Sequence, residues 1–148
     1  MAMLIPDPDL RHVIEEAIAA FNAHDLDDWV SYYAEGARHY QPDRAEPLSG
    51  REEIREDYLK TTWIPFPDFH FEVVRAFGQE NWICVEGNLT GTHKEAMQGP
   101  DGELLPATNK TIRVPVCFVA RVENRKLVEV HEYNDQLGLL AQLGVALS

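Results

Sequence analysis

At 148 residues, with 45% hydrophobic and 26% charged side chains, the chain has the size and balance of one globular domain with a substantial core. Its formal net charge of -12 argues against a nucleic-acid partner, which demands a basic patch, and against a strongly anionic ligand. No run approaches the roughly 20 apolar residues of a membrane span, and the start lacks the basic stretch and long apolar run of a signal peptide. The expectation is a soluble, cytoplasmic protein with no membrane or nucleic-acid partner.

In chain order, Asp7-Pro8 reads as a helix N-cap with proline at the first helical position, and Leu10, Val13, Ile14, Ala17, Ile18 and Phe21 recur at helical spacing. Asp25 can cap a second short helix, through about residue 33, with Leu26, Trp29, Val30 and Tyr33 on one stripe. A short strand over residues 37–41 ends at Pro42. Ser49-Gly-Arg-Glu52 forms a capping box that opens a third helix, reaching about residue 61. After Pro65 and Pro67 the period changes, and Phe69, Phe71, Val73 and Phe77 mark a half-buried strand. Gln79-Glu80-Asn81 turns into a strand over residues 82–93, residues 94–106 form a loop, and a third long strand covers 108–122. Asn124-Arg125 turns into a fourth, over 126–135. Helices followed by long strands predict a single α+β domain over residues 1–148, with helices packed on one face of a curved antiparallel sheet. Internal Gly87 and Gly91 suit a cone-like sheet that encloses a cavity.

Chemistry concentrates at the end of the chain. Strand alternation puts His131, Tyr133 and Asp135 on one face and Val128 and Val130 on the other, so the polar face is expected to line a pocket. At about 3.3 Å per residue, His131 and Asp135 stand roughly 13 Å apart and form no dyad. Asp135 has two readings: a cap on the helix that starts at Gln136, or a general acid/base. On the strand over 82–93, Glu86 and Asn88 share a face opposite Ile83, Val85 and Leu89, and either line the cavity or face solvent at an edge. Trp29, Tyr33, Trp63 and Phe66 belong to the roofing helices, as core or as a stacking surface for a flat ligand. Arg113, a lone cation in an apolar strand, pairs with Glu86 or reaches solvent. Cys84 and Cys117 lack a Cys or His at ligand spacing and read as buried thiols, with no metal site or disulfide.

Four motifs then fall in a recognisable order: Leu48-Ser-Gly50-Arg-Glu-Glu-Ile54, Phe66-Pro67-Asp68, Gly91-Thr92-His93, and Asp135 with Leu139-Leu-Ala-Gln-Leu-Gly144. Over nearly the whole chain this resembles the SnoaL-like polyketide cyclases of the NTF2-like superfamily. The resemblance implies a cone-shaped α+β barrel whose three N-terminal helices close a pocket, assembled as a homodimer or homotetramer. It also implies that Asp135 matches the family's acid/base aspartate. In the related ketosteroid isomerases an aspartate base precedes a proline, nine residues before the glycine of the third helix. Here Gln41 holds that place before Pro42 and Gly50, and an amide is no base. Nor does the strand of Glu86 and Asn88 carry the arginine of the related limonene epoxide hydrolases.

The sequence therefore predicts a cofactor-independent, metal-free cyclase acting on a neutral hydrophobic carbonyl compound by intramolecular aldol closure. Asp135 and His131 are its expected catalytic residues, and Tyr133, Asn88, Glu86, Gln41, His39, Trp63, Trp29 and Tyr33 its expected ligand contacts. A hydrolase, hydratase or isomerase, with a water held by Gln41 and His39, is the enzymatic alternative, and a non-catalytic binder of small ligands the other.

Overall fold

The computed structural model describes residues 2–99 and 102–145. Residues 1, 100–101 and 146–148 of the expected domain lie outside the described residues. In order the elements are β1 (Ala2–Leu4), α1 (Pro8–Asn22), α2 (Leu26–Ser31), β2 (Tyr33–Tyr40), β3 (Leu48–Ser49), α3 (Arg51–Tyr58), β4 (His70–Gln79), β5 (Trp82–Thr92), β6 (Met97–Gln98), β7 (Leu104–Leu105), β8 (Thr111–Glu123), β9 (Lys126–Asn134) and α4 (Gln136–Gln142). A π-helical turn, Leu59–Trp63, continues α3.

Seven strands form one curved sheet in the order β1-β4-β5-β8-β9-β2-β3, with β6 and β7 as a separate small hairpin. The sheet is mixed rather than antiparallel throughout: β1 runs parallel to β4 and β2 parallel to β9. It does not close into a barrel, since β1 and β3 remain as its two edges. The short β1 and β3 carry too few residues to show a period, and the β6–β7 hairpin sits in the stretch read as loop.

Local chemistry sets the helix layer. Asp7 caps α1 through the Asp9 amide, 2.9 Å, with Pro8 at the first helical position. Asp25 caps α2 through the Asp28 amide, 3.0 Å. The third helix starts differently from its expected capping box: Gly50 is the N-cap with φ +88°, and the Ser49 amide donates to Glu53 rather than to Glu52. That left-handed backbone suits only glycine well. Asn22 then docks α1 on β4, donating to the Phe71 carbonyl at 2.9 Å and accepting from the Phe71 amide at 2.8 Å.

Two of the sequence motifs explain each other in space. The Thr92 amide and hydroxyl both donate to Asp68, each at 2.7 Å, while Phe66 lies against Gly91 and its ring sits 5.5 Å from that of His93. A Cβ on Gly91 would meet Phe66 at 3.1 Å, so the small residue lets the chain after α3 seat on β5. This latch holds the helix layer over the concave face of the sheet, where Phe71, Val85, Val116, Ala120 and Val130 point into the core. Along β5, Ile83 and Val85 are buried while Trp82, Glu86 and Asn88 are turned to the other, convex face. No helix of the described residues is long and apolar enough to cross a membrane.

Candidate active site

One residue of irregularity in β9 decides which side chains face the helices. Arg121 pairs with Glu129, but Val122 pairs with Leu127, so Val128 is an extra residue, a β-bulge. Leu127 is buried, and strict alternation from it would bring Glu129, His131 and Tyr133 inwards. The bulge resets the phase, and Val130 and Glu132 are buried instead.

This corrects the placement of the polar triplet. His131 lies on the convex face, its ring stacked on Tyr40 at 4.6 Å and its Nε2 2.6 Å from Glu129. Tyr133 is 49% exposed on the same face. Asp135 is exposed at the end of the strand, where its Oδ1 accepts from the Gly138 amide at 2.8 Å and caps α4. Glu86 and Asn88 also face outwards: Glu86 pairs with Arg75 at 3.2 Å, and neither residue lines either of the two cavities described below. Arg113 meets Glu72 at 3.7 Å rather than Glu86. Cys84 and Cys117 are half-buried on the convex face, with sulfurs 3.6 Å apart and no disulfide.

Inside, Glu132 is the centre of a polar cluster. Its Oε1 lies 2.9 Å from His39 Nε2, accepts from Gln41 Nε2 at 3.2 Å, and accepts from the Tyr58 hydroxyl. Its Oε2 accepts from Asn134 Nδ2 at 2.8 Å. His39 and Tyr58 also approach each other at 3.3 Å. Because its partner is a carboxylate, His39 Nε2 carries a proton. Its Nδ1 is buried without a partner. Burial pushes the Glu132 carboxyl up, but the hydrogen bonds and charge of His39, with the bonds from Tyr58 and Asn134, more than offset it and bring it down to about 2. Burial and the neighbouring Glu132 push the Tyr58 and Tyr33 phenols well above 10, so both stay protonated as donors.

Each partner reaches Glu132 from a different element. His39 is on β2, paired in register with Val130. Tyr58 ends α3, where the chain passes into the π-helical turn, closed by the Ile64 amide to the Leu59 carbonyl at 3.0 Å. A π turn widens the helix by one residue and is common beside functional groups. It places Thr62, next to Tyr58, on the same wall.

Two cavities meet at this cluster. A chamber of about 100 Å³ lies between α1, α2 and the sheet, walled mostly by apolar side chains including Ile14, Phe21, Trp29, Phe71 and Ala120. A vestibule of about 660 Å³ lies under α3, α4 and the β6–β7 hairpin, and carries Gln41, Asp43, Arg44, Asp57, Lys60 and Asn134 among its walls. Tyr58, Thr62, Leu89, Val116 and Glu132 line both, a shared wall termed the neck. At the vestibule rim Arg44 is paired with Asp57, and burial raises the Asp57 carboxyl against the lowering effect of that arginine.

Of the expected ligand contacts, Trp29 and Tyr33 line the chamber and Gln41 the vestibule. His39 stands behind the wall, fully buried beneath Glu132. Trp63 packs among Phe21, Trp29 and Phe69 without lining either cavity. Glu132, Tyr58 and Asn134 were missed. The available signal was parity: Glu132 shares its face with buried Val130, and a carboxylate on an apolar face needs a reason. Among the described residues, no group of three or more His, Cys, Asp or Glu side chains is placed to hold a metal ion.

Solved structures share this arrangement of elements. AclR from Streptomyces galilaeus, a proposed hydroxylase, matches with a TM-score of 0.74 and 22% identity, over 95% of this chain and 87% of its own. A proposed SnoaL-like polyketide cyclase from Jannaschia matches with a TM-score of 0.79 and 16% identity, over 95% and 97%. IdmH from Streptomyces antibioticus, a proposed polyketide cyclase, matches with 0.74 and 22%, over 92% and 99%. At these identities the likeness establishes the fold. The sequence profile of the SnoaL-like polyketide cyclases covers residues 11–143, from the first turns of α1 through the end of α4. With a helix layer over a curved sheet, an internal cavity and that profile spanning nearly its whole length, this chain belongs to the SnoaL-like polyketide cyclase family.

Proposed function

We infer that the protein catalyses enolisation and intramolecular aldol closure of a hydrophobic carbonyl compound, with Glu132 as the proton carrier. One observation carries this reading: a carboxylate only 8% exposed stands at the neck of two cavities, the one acidic side chain on the chamber wall among the described residues. Burying an ion costs several kcal/mol, and a protein that merely held a neutral apolar ligand would do better without it. Membership of a cyclase family supports the same chemistry.

In the proposed reaction Glu132 takes a proton from the carbon beside a carbonyl, and the C–H electron pair becomes the enolate. The enolate carbon attacks a second carbonyl carbon of the same molecule, forming the C–C bond, and the second C=O π pair becomes an alkoxide. Glu132 returns its proton to that alkoxide, so the product is an isomer of the substrate. With three donors on Oε1 the resting carboxylate is a weak base. A substrate oxygen entering the neck competes for the Tyr58 hydroxyl. Each donor that turns from Glu132 to the substrate strengthens the base and stabilises the enolate oxygen together. The neck brings the reacting carbons together within one bound conformer.

The test uses a slowly exchanging hydrophobic ketone in D2O, followed by mass spectrometry for deuterium at the carbon beside the carbonyl, and a linear diketone whose closure gives a six-membered ring. The wild type accelerates both, and Glu132→Gln slows them by about 100-fold or more while keeping the fold. An undiminished rate in Glu132→Gln overturns the assignment. The saturation of Glu132 by four donors favours a second reading, a ligand-binding protein in which the cluster is purely structural. That reading requires wild-type protein that binds such ketones without accelerating either reaction.

A further inference from the structure

We propose that the ligand is two-part: a compact alkyl terminus of about four carbons occupies the chamber, and a larger, neutral, oxygen-bearing body occupies the vestibule, with its first carbonyl at the neck. The proposal rests on the reading of Glu132 given above and specifies the substrate class for that site.

Size and wall chemistry carry it. A cavity of about 150 Å³ lined by Leu, Ile and Phe stays dry and binds benzene, a ring of six carbons. In proportion, the chamber's 100 Å³ holds about four. Its side towards α1 and strands β4, β5 and β8 is Ile14, Ala17, Phe21, Phe71, Val85 and Ala120, which offer no hydrogen bond to an oxygen placed there. A polar ligand atom in that region would be stripped of water without compensation. The polar side chains of the chamber wall are Tyr33 on β2, Glu132 on β9, Tyr58 at the end of α3 and Thr62 in the π-helical turn, and the last three also form the neck. Tyr33 and Thr62 also bring hydroxyl-bearing side chains to the chamber wall.

The vestibule is the opposite kind of space. Its volume is more than six times larger, and Gln41, Asn134, Thr61 and Gln136 offer neutral donors and acceptors. Apart from Glu132, which is held by its own donors, its charges pair off, with Arg44 paired to Asp57 and Lys60 facing the same cavity as Asp43. A body with several hydroxyl or carbonyl groups and no net charge fits these walls better than an acid or an amine.

Binding of straight-chain methyl ketones to the wild-type protein, measured by calorimetry in a series that lengthens one carbon at a time, tests the proposal. Affinity rises about fourfold per added methylene until about four alkyl carbons are buried, and then stays level. Ala120→Leu, which fills the chamber from the sheet side, brings the plateau about three carbons earlier. Ala17→Leu does so from the helix side should Ala120→Leu fail to fold. Ile14→Ala moves the plateau to longer chains. An affinity that keeps climbing past the plateau, or a plateau unmoved by a folded filling variant, overturns the proposal. Deuterium wash-in with the same ketones reads the catalytic assignment separately. A plateau without wash-in removes the catalyst and leaves the subsite, and wash-in without a plateau removes the subsite alone.

Discussion

Glu132 makes the stability of the fold depend on pH in a window that its own substitution erases. The carboxyl titrates at about 2 in the folded chain against an ordinary 4.5. A carboxyl depressed by folding stabilises the folded state above its unfolded value, and that contribution is lost as pH falls towards the folded value. At about 1.4 kcal/mol per pH unit, the separation contributes about 3 kcal/mol at neutral pH, of which about 2 kcal/mol is gone at pH 3. Glu132→Gln keeps the shape and an acceptor but has nothing to titrate. Urea unfolding of both proteins, followed through the fluorescence of the 3 tryptophans, gives the two free energies at pH 6 and at pH 3. Carboxylates away from Glu132 act alike in both proteins and cancel in the difference, while Asp57, which the charge of Glu132 helps to raise, adds a smaller contribution. The gap between wild type and variant narrows by about 2 kcal/mol on acidification. A gap that stays constant within about 0.5 kcal/mol would refute the ionised, donor-held carboxylate, and with it the proposed base.

Three further outcomes follow from the same geometry. Tyr58→Phe removes one donor from Glu132 and one from the enolate, so ketone deuterium wash-in falls by about 100-fold and neutral-pH stability by about 1–2 kcal/mol; a variant with the wild-type rate would remove Tyr58 from the reaction. Asp135→Asn keeps the cap on α4 and leaves stability and wash-in unchanged, while Asp135→Ala costs about 1 kcal/mol with the same wash-in. Loss of wash-in in Asp135→Asn would return the proton carrier to Asp135. Gly87→Ala puts a methyl 2.6 Å from the Phe71 ring and against the Glu72 carbonyl, lowering thermal stability by about 1–3 kcal/mol; an unchanged melting curve would contradict that close approach of β5 to β4.

The helices and the long strands were legible in the sequence because periodicity and caps act locally. Asp7-Pro8, Asp25 and Asn124-Arg125 each fix a start or a turn through neighbours a few residues away, and the structure has α1, α2 and the β8–β9 turn there. The site was less legible because its phase is set by a pairing that no local rule reports. From Leu127 onward, alternation alone directs attention to His131 and Tyr133, and only the partner strand β8 reveals that Val128 is surplus. Asp135 carried two readings in the sequence, and the helix cap is the one the geometry displays. Tyr58 was hidden by distance along the chain, since 74 residues separate it from the carboxylate it binds.

The bulge at Val128 has a bearing on how such proteins diversify. A regular strand through the same residues would turn over beyond Leu127, sending Glu132 and Asn134 outside and presenting His131 and Tyr133 to the cavity in their place, whereas deleting Val128 would remove only the bulge and leave Glu132 inside. Two different sets of reactive groups are thus written along a single strand, one in use and one held in reserve. A one-residue slip of β9 against β8 beyond this point exchanges an entire chemistry at once, where point substitutions would have to assemble it residue by residue.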